Sequence, residues 1–171
     1  MKDEDFDKML ARYMPMHVLK KLDGIGQAKA RRTEPREATP DERERAALFV
    51  FCTLLVVAAD DKLTKAETRF LERSVRPHSL ARELLTEFEE MSQAQREKRI
   101  EQAIEFGRSL HGKSKGTLFR QLVEAAKVDR KVTDDEIQAI YEIGCRLDAQ
   151  AQVLRELRGS FGSRANDVLG L

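Results

Sequence analysis

The sequence lacks the features by which several classes of protein are recognised. Only two cysteines occur among its 171 residues, Cys52 and Cys145, and both lie in apolar helical patterns, which argues against a disulfide framework and favours the cytoplasm. The 31 lysines and arginines nearly balance the 30 aspartates and glutamates, so no overall field attracts nucleic acid or anionic lipid. The longest apolar run, residues 46–59, is shorter than the roughly 18 residues of a membrane span. The acidic start of the chain predicts no signal peptide.

Patterns that carry enzymatic chemistry are also missing. The three histidines, His17, His78 and His111, are scattered, and none has a glutamate or a second histidine at metal-binding spacing. The pair Gly24 and Gly26 has neither a third glycine nor a preceding strand, so it is not a dinucleotide-binding fingerprint. No serine lies in a nucleophile elbow. The sequence predicts a protein without enzymatic activity and indicates no small-molecule substrate.

Helical periodicity dominates the chain, and strand signals are nearly absent. Patterns of the form Ser/Thr-x-x-Glu/Gln predict helices that begin after Thr64, Ser92 and Thr133. Thr39 precedes a helix that opens with a proline, and Asp148 is expected to cap the last helix. The predicted fold class is all-α, with about seven to nine helices.

The predicted helices divide the chain into three segments. Residues 1–39 are expected to form an N-terminal helical arm followed by a basic linker, because prolines and glycines interrupt the helical pattern there. Residues 40–158 are expected to form the helical domain. Residues 159–171 are predicted to be a flexible C-terminal tail.

An octet of residues occurs twice, 69 positions apart. Residues 60–67 read DDKLTKAE and residues 129–136 read DRKVTDDE, so that one Asp, Lys, Thr and Glu are identical in both copies. Each copy follows an apolar helical run and precedes another helix, and the flanking apolar positions keep the same offset. The sequence therefore predicts two pseudo-repeated three-helix units joined by a linking helix, residues 92–112.

The repeated turn resembles a known family signature. Residues 58–67 (AADDKLTKAE) and 127–136 (KVDRKVTDDE) are similar to A-x-D-G-x-[IV]-[ST]-x-x-E of the TerB-like (tellurite resistance) family. The resemblance covers residues 40–157. It implies an all-helical module of the bacterial cytosol, linked to tellurite and other chemical stress, without established catalytic activity.

The resemblance also implies that acidic positions of the turns hold a divalent metal ion. In this chain those positions are Asp60, Glu67, Asp129 and Glu136. If the two units pack about a pseudo-two-fold axis, both turns could converge and offer up to four carboxylates to one hard cation. The competing interpretation is structural, because the glutamates belong to capping boxes and the aspartates suit helix-linking turns. No other cofactor is predicted.

The turns depart from the family pattern at one position. The glycine that follows the aspartate in the family is Asp61 in the first copy and Arg130 in the second. A residue other than glycine disfavours a left-handed backbone there. Arg130 would in addition repel a nearby cation.

A short segment near the N-terminus resembles a helix-hairpin-helix motif of DNA-binding proteins. In that motif a hydrophobic-Gly-x-Gly hairpin offers backbone N–H groups to a phosphate, with basic residues beside it. The matching residues are Gly24, Gly26, Lys29, Arg31 and Arg32. Because Pro35 shortens the second helix, the favoured interpretation is a glycine hinge with a solvated basic stretch, and a nucleic-acid-associated function is the alternative hypothesis.

The N-terminal arm carries more apolar surface than a solvated segment should expose. Phe6, Met9, Leu10 and Tyr13 recur at helical spacing. The arm is expected either to dock back on the helical domain or to bind a protein partner, such as a second copy of the chain. The basic linker could also contact an anionic membrane surface.

Overall fold

The computed structural model describes residues 38–171, except 61, 63 and 76–78. In that part of the chain the structure contains eight helices and no strand, which confirms the all-α prediction. The helices are α1 (Pro40–Val57), α2 (Lys65–Val75), α3 (Ser79–Glu90), α4 (Gln93–Ser109), α5 (Gly112–Ala126), α6 (Asp134–Arg146), α7 (Gln150–Phe161) and α8 (Ser163–Leu169). The predicted arm and linker, residues 1–37, lie outside the described residues.

Helix α1 forms the centre of the bundle because its second half is apolar on every side. Residues 50–57 are buried without a break. A helix of this kind needs partners all round, and α2 to α6 each pack against it. The rings of Phe51 and Phe88, 4.6 Å apart between centroids, join α1 to α3. The apolar run therefore builds the core, and none of the described helices is both long and apolar enough to cross a membrane.

The helix caps predicted at Thr39, Ser92 and Thr133 begin their helices where the sequence indicates, and the cap at Thr39 is in addition a capping box. Thr39, Ser92 and Thr133 each accept a hydrogen bond from the N–H three residues on, and the side chain at that third position accepts one in return. The helices before the two repeated turns end at positions 57 and 126, and those after them begin at positions 65 and 134. Both pairs are 69 residues apart, so the repeat in the sequence is also a repeat in helix boundaries.

The prediction that Asp148 caps the last helix is wrong. The N-cap of α7 is Ala149, which makes no side-chain capping bond, and Asp148 has a left-handed φ of 52° just after α6. Aspartate suits both places, because its short side chain tolerates the left-handed region as well as an N-cap. The linking helix α4 also ends at Ser109, short of the predicted residue 112.

Residues 159–171 are helical and packed, so the predicted flexible tail is also wrong. Helix α7 continues to Phe161, and α8 follows with Ala165 completely buried in the core. Arg164 donates a hydrogen bond of 2.7 Å to the carbonyl oxygen of Val132, in the second repeated turn. A seven-residue helix has little stability of its own, so these tertiary contacts order it, and the local sequence gives no signal of them.

Candidate cation site at the paired turns

The aspartate of each repeated turn holds the turn itself. Oδ1 of Asp60 accepts a hydrogen bond from the N–H of Lys62 at 3.0 Å, and Oδ1 of Asp129 accepts one from the N–H of Lys131 at 2.8 Å. In each case the side chain bonds to the backbone two residues on, as is usual when aspartate starts a turn. The two copies of the octet therefore adopt the same local structure at this position.

The glutamate of each turn closes a capping box with the threonine before it. The N–H of Thr64 donates to Oε2 of Glu67 at 2.6 Å, and the N–H of Thr133 donates to Oε2 of Glu136 at 2.7 Å. The reciprocal bond, from the glutamate N–H to the threonine Oγ1, is 3.2 Å long in both turns. The structural interpretation of the threonines and glutamates as caps is thus confirmed.

Capping does not explain why both glutamates are buried. Only 3% of Glu67 and 2% of Glu136 is exposed, whereas Glu42 and Gln95, at the same position of two other capping boxes, are solvent-exposed. Glutamate is almost never fully buried unless it is paired, because burial removes the hydration of its charge. Within one protein, the same motif is therefore surface-exposed twice and buried twice, and it is buried at the repeated turns.

The buried carboxylates of the two turns influence each other. Burial raises the pKa of Glu136 to about 7, with further contributions from the charges of Glu67 and Asp129, although hydrogen bonds from Thr133 act in the opposite direction. Burial likewise raises the pKa of Glu67, and the charges of Asp129 and Asp60 add to the effect. A charge of the first turn, on Glu67, thus raises the pKa of Glu136 in the second turn, and a charge of the second turn, on Asp129, raises the pKa of Glu67 in the first. The fold therefore brings the two turns near each other.

One oxygen of Glu136 has no hydrogen-bond partner in the described part of the chain. Oε2 accepts from both the N–H and the hydroxyl of Thr133, but the buried Oε1 accepts from no donor among the described residues. An unsatisfied buried carboxylate oxygen is unfavourable, by roughly 1–3 kcal/mol or more for a charged group. Such an atom is a place where a ligand with positive charge would find a ready acceptor.

The four predicted ligands do not form a complete metal centre among the described residues. Across residues 38–171, with the gaps at 61, 63 and 76–78, no three carboxylate, imidazole or thiol groups are grouped closely enough to hold a metal ion. Arg130, at the position where the TerB-like pattern has a glycine, is exposed and has a left-handed φ of 65°. The backbone therefore keeps the conformation for which a glycine is suited, although Asp61, its counterpart in the first turn, lies outside the described residues.

The burial of the glutamates was not predicted, although the sequence carries a signal of it. Glu67 precedes Phe70 and Leu71 by three and four residues, and Glu136 precedes Ala139 and Ile140 by the same intervals. These spacings place each glutamate on the apolar face of its helix. The residues of the alternative nucleic-acid motif, at positions 24–32, lie outside the described part of the chain.

Comparison with known proteins finds no relative of this chain. No protein-family model matches it, and neither a curated protein nor a solved structure is similar to it. The likeness to the TerB-like family thus consists of the two turn motifs and their spacing.

Proposed function

We propose that the chain is a non-enzymatic, TerB-like helical module of the bacterial cytoplasm whose paired acidic turns bind one divalent cation. The observation that supports this function best is the buried Oε1 of Glu136, which has no partner among the described residues and belongs to a carboxylate that also experiences the charges of Glu67 and Asp129. Hard divalent cations bind carboxylate oxygens, and their charge offsets both desolvation and mutual repulsion of the ligands. A role in chemical stress follows from the family resemblance.

The capping and cation-binding roles can coexist in the same side chain. In both glutamates the cap uses Oε2, and in Glu136 this leaves Oε1 for a ligand. Asp60 and Asp129, which are only half-buried, would contribute charge from the outer side of the site. Because no complete ligand set is preformed among the described residues, the cation would keep some of its water ligands, as Mg²⁺ commonly does in proteins.

Thermal unfolding in the presence of Mn²⁺, Ca²⁺, Mg²⁺ or Zn²⁺, compared with EDTA, tests the proposal. A cation at about one hundred times its Kd stabilises the native state by roughly 2.7 kcal/mol, which raises the Tm of a chain of this size by roughly 5–10 °C. We expect Glu136→Gln to abolish the shift and Glu42→Gln, in an exposed capping box, to keep it. If none of the four cations raises the Tm of the unmodified chain, the proposed function is wrong.

A further inference from the structure

A groove runs along the N-terminal half of α1, and no part of the cation site belongs to it. It consists of an open cavity of about 700 Å³ and a second one of about 260 Å³, which share Arg45, Phe49 and Gln121. Ala46 and Leu80 line the larger cavity together with Phe49, and Leu118 lines the smaller one. We call these residues the α1 groove. Its floor is mostly apolar, which is typical of a surface that binds an amphipathic segment.

Two arginines give the α1 groove a positive edge. Arg45 and Arg73 line the larger cavity together with one acidic residue, Glu42, and all three are solvent-exposed, so the two positive charges exceed the single negative one. Neither arginine forms an ion pair with another described residue, although the guanidinium of Arg45 lies 5.8 Å from the ring centroid of Phe106. The groove therefore suits a segment that combines an apolar stripe with negative charge.

The N-terminal part of this chain, residues 3–14, is a segment of this kind. Ala38, the first described residue, lines the larger cavity, so the groove lies beside the point at which residue 37 is bonded to the described part of the chain. Residues 3–14 contain the apolar positions 6, 9, 10 and 13 at helical spacing. Their acidic residues, at 3, 4, 5 and 7, outnumber the two basic residues, at 8 and 12, so the segment has a net negative charge. Apolar spacing and charge thus both complement the groove.

We propose that residues 3–14 of this chain bind in its own α1 groove, with Phe6, Leu10 and Tyr13 on the apolar floor and the acidic residues toward Arg45 and Arg73. The 23 residues between positions 15 and 37 reach at most about 75 Å when extended, which is ample for a groove at the point of entry. A covalent tether of this length gives the segment an effective concentration on the order of millimolar. Binding within one chain is for this reason favoured over exchange between copies. The inference does not depend on the cation site.

A single tryptophan can report this binding in the full-length chain, because the natural sequence contains none. Phe6→Trp places the reporter on the apolar stripe. We expect its fluorescence to be blue-shifted and protected from acrylamide, and to be independent of protein concentration. Leu10→Asp, added to the reporter chain, should expose the tryptophan, whereas Ala11→Asp, which adds the same charge on the opposite side of a helix, should leave it protected.

Substitution of the groove provides the complementary measurement. Ala46→Glu and Gln121→Glu add negative charge beside the acidic segment, and we expect both to expose the tryptophan reporter of the Phe6→Trp chain. Because Gln121 is exposed, its substitution leaves the helical fold intact, as circular dichroism would check. A reporter that acrylamide quenches as strongly in the native chain as in urea would overturn the proposal. So would protection that appears only as the protein concentration rises, because the occupant would then be a second copy of the chain.

Discussion

The buried charge of Glu136 can be removed without removing its cap. Glu136→Gln keeps the size of the side chain and the oxygen that accepts from the N–H of Thr133. Gln95 already performs this role in the capping box with Ser92, where its Oε1 accepts from the cap N–H at 2.8 Å. The substitution thus separates the electrostatic effect of burial from the structural effect of capping.

The size of the effect follows from the pKa of the carboxyl group. Burial raises the pKa of Glu136 from its ordinary value of 4.5 to about 7. Each tenfold change in proton affinity corresponds to roughly 1.4 kcal/mol. The difference between the ordinary and the folded-state pKa therefore corresponds to a loss of up to about 3 kcal/mol in the free energy of unfolding when the carboxyl group is charged. The interaction of a negative charge with the helix N-terminus stabilises the native state by about 0.3–1 kcal/mol, and the substitution removes this interaction. We therefore expect Glu136→Gln to stabilise the native state by about 2 kcal/mol at alkaline pH.

The sign of the pH dependence is fixed by which state holds the proton more tightly. The pKa of Glu136 is higher in the folded chain than in the unfolded chain, so protonation favours folding. The contribution of the protonated group is fully present below pH 4.5 and is lost as the pH rises through about 7. The unmodified chain should lose stability over this window, and Glu136→Gln should lose less.

Urea unfolding, followed by circular dichroism in EDTA, measures the difference at several pH values between about 4.5 and 8. EDTA is needed because a bound cation would stabilise the charged carboxylate and hide the effect. Glu42→Gln is the matched control, since it makes the same change in an exposed capping box, and its effect should be small. If Glu136→Gln is equally destabilising at both ends of the pH range, the carboxylate is not charged and buried as the structure indicates, and the reasoning fails.

Three further substitutions test other parts of the fold by urea unfolding. Arg130→Gly should stabilise the chain by up to about 1 kcal/mol, because glycine relieves a left-handed φ of 65°; a loss of stability would contradict the strain at this turn. Gly144→Ala should destabilise it by about 1–3 kcal/mol, because the added Cβ would overlap the side chain of Val153 on α7; a neutral result would mean that α6 and α7 separate easily. Arg164→Ala removes the bond to the carbonyl of Val132 and should cost about 0.5–1 kcal/mol, and an unchanged stability would show that α8 is held by its apolar contacts alone.

The parts of the fold that could be predicted from the sequence are those that local chemistry determines. A helix cap involves residues at most three positions apart, so the helix starts after Thr39, Ser92 and Thr133 follow from short stretches of chain. Asp148 and the C-terminal residues were predicted incorrectly for the opposite reason. An aspartate fits two backbone conformations, and the packing of Ala165 depends on surfaces contributed by distant helices.

The candidate site divides in the same way. The repeated octet identifies its four acidic residues, because their identity and spacing are properties of the sequence. Their burial could be anticipated only in part, since the apolar neighbours at three and four residues indicate a face but not what covers it. The effect of Glu67 and Asp129 on the pKa of Glu136 joins residues from two halves of the chain. No local pattern contains that information, and it arises only when the fold brings the two turns together.

The buried glutamates bear on whether the repeat is only architectural. If their task were capping alone, an exposed glutamine would suffice, as Gln95 demonstrates in the same chain. The turns instead place two ionisable groups where burial opposes their charge, and they leave Oε1 of Glu136 without a donor among the described residues. Such an arrangement lowers the stability of the chain without a ligand, and a divalent cation is the ligand whose charge would reverse that loss. Stability measured with and without cations therefore distinguishes a structural repeat from a binding site.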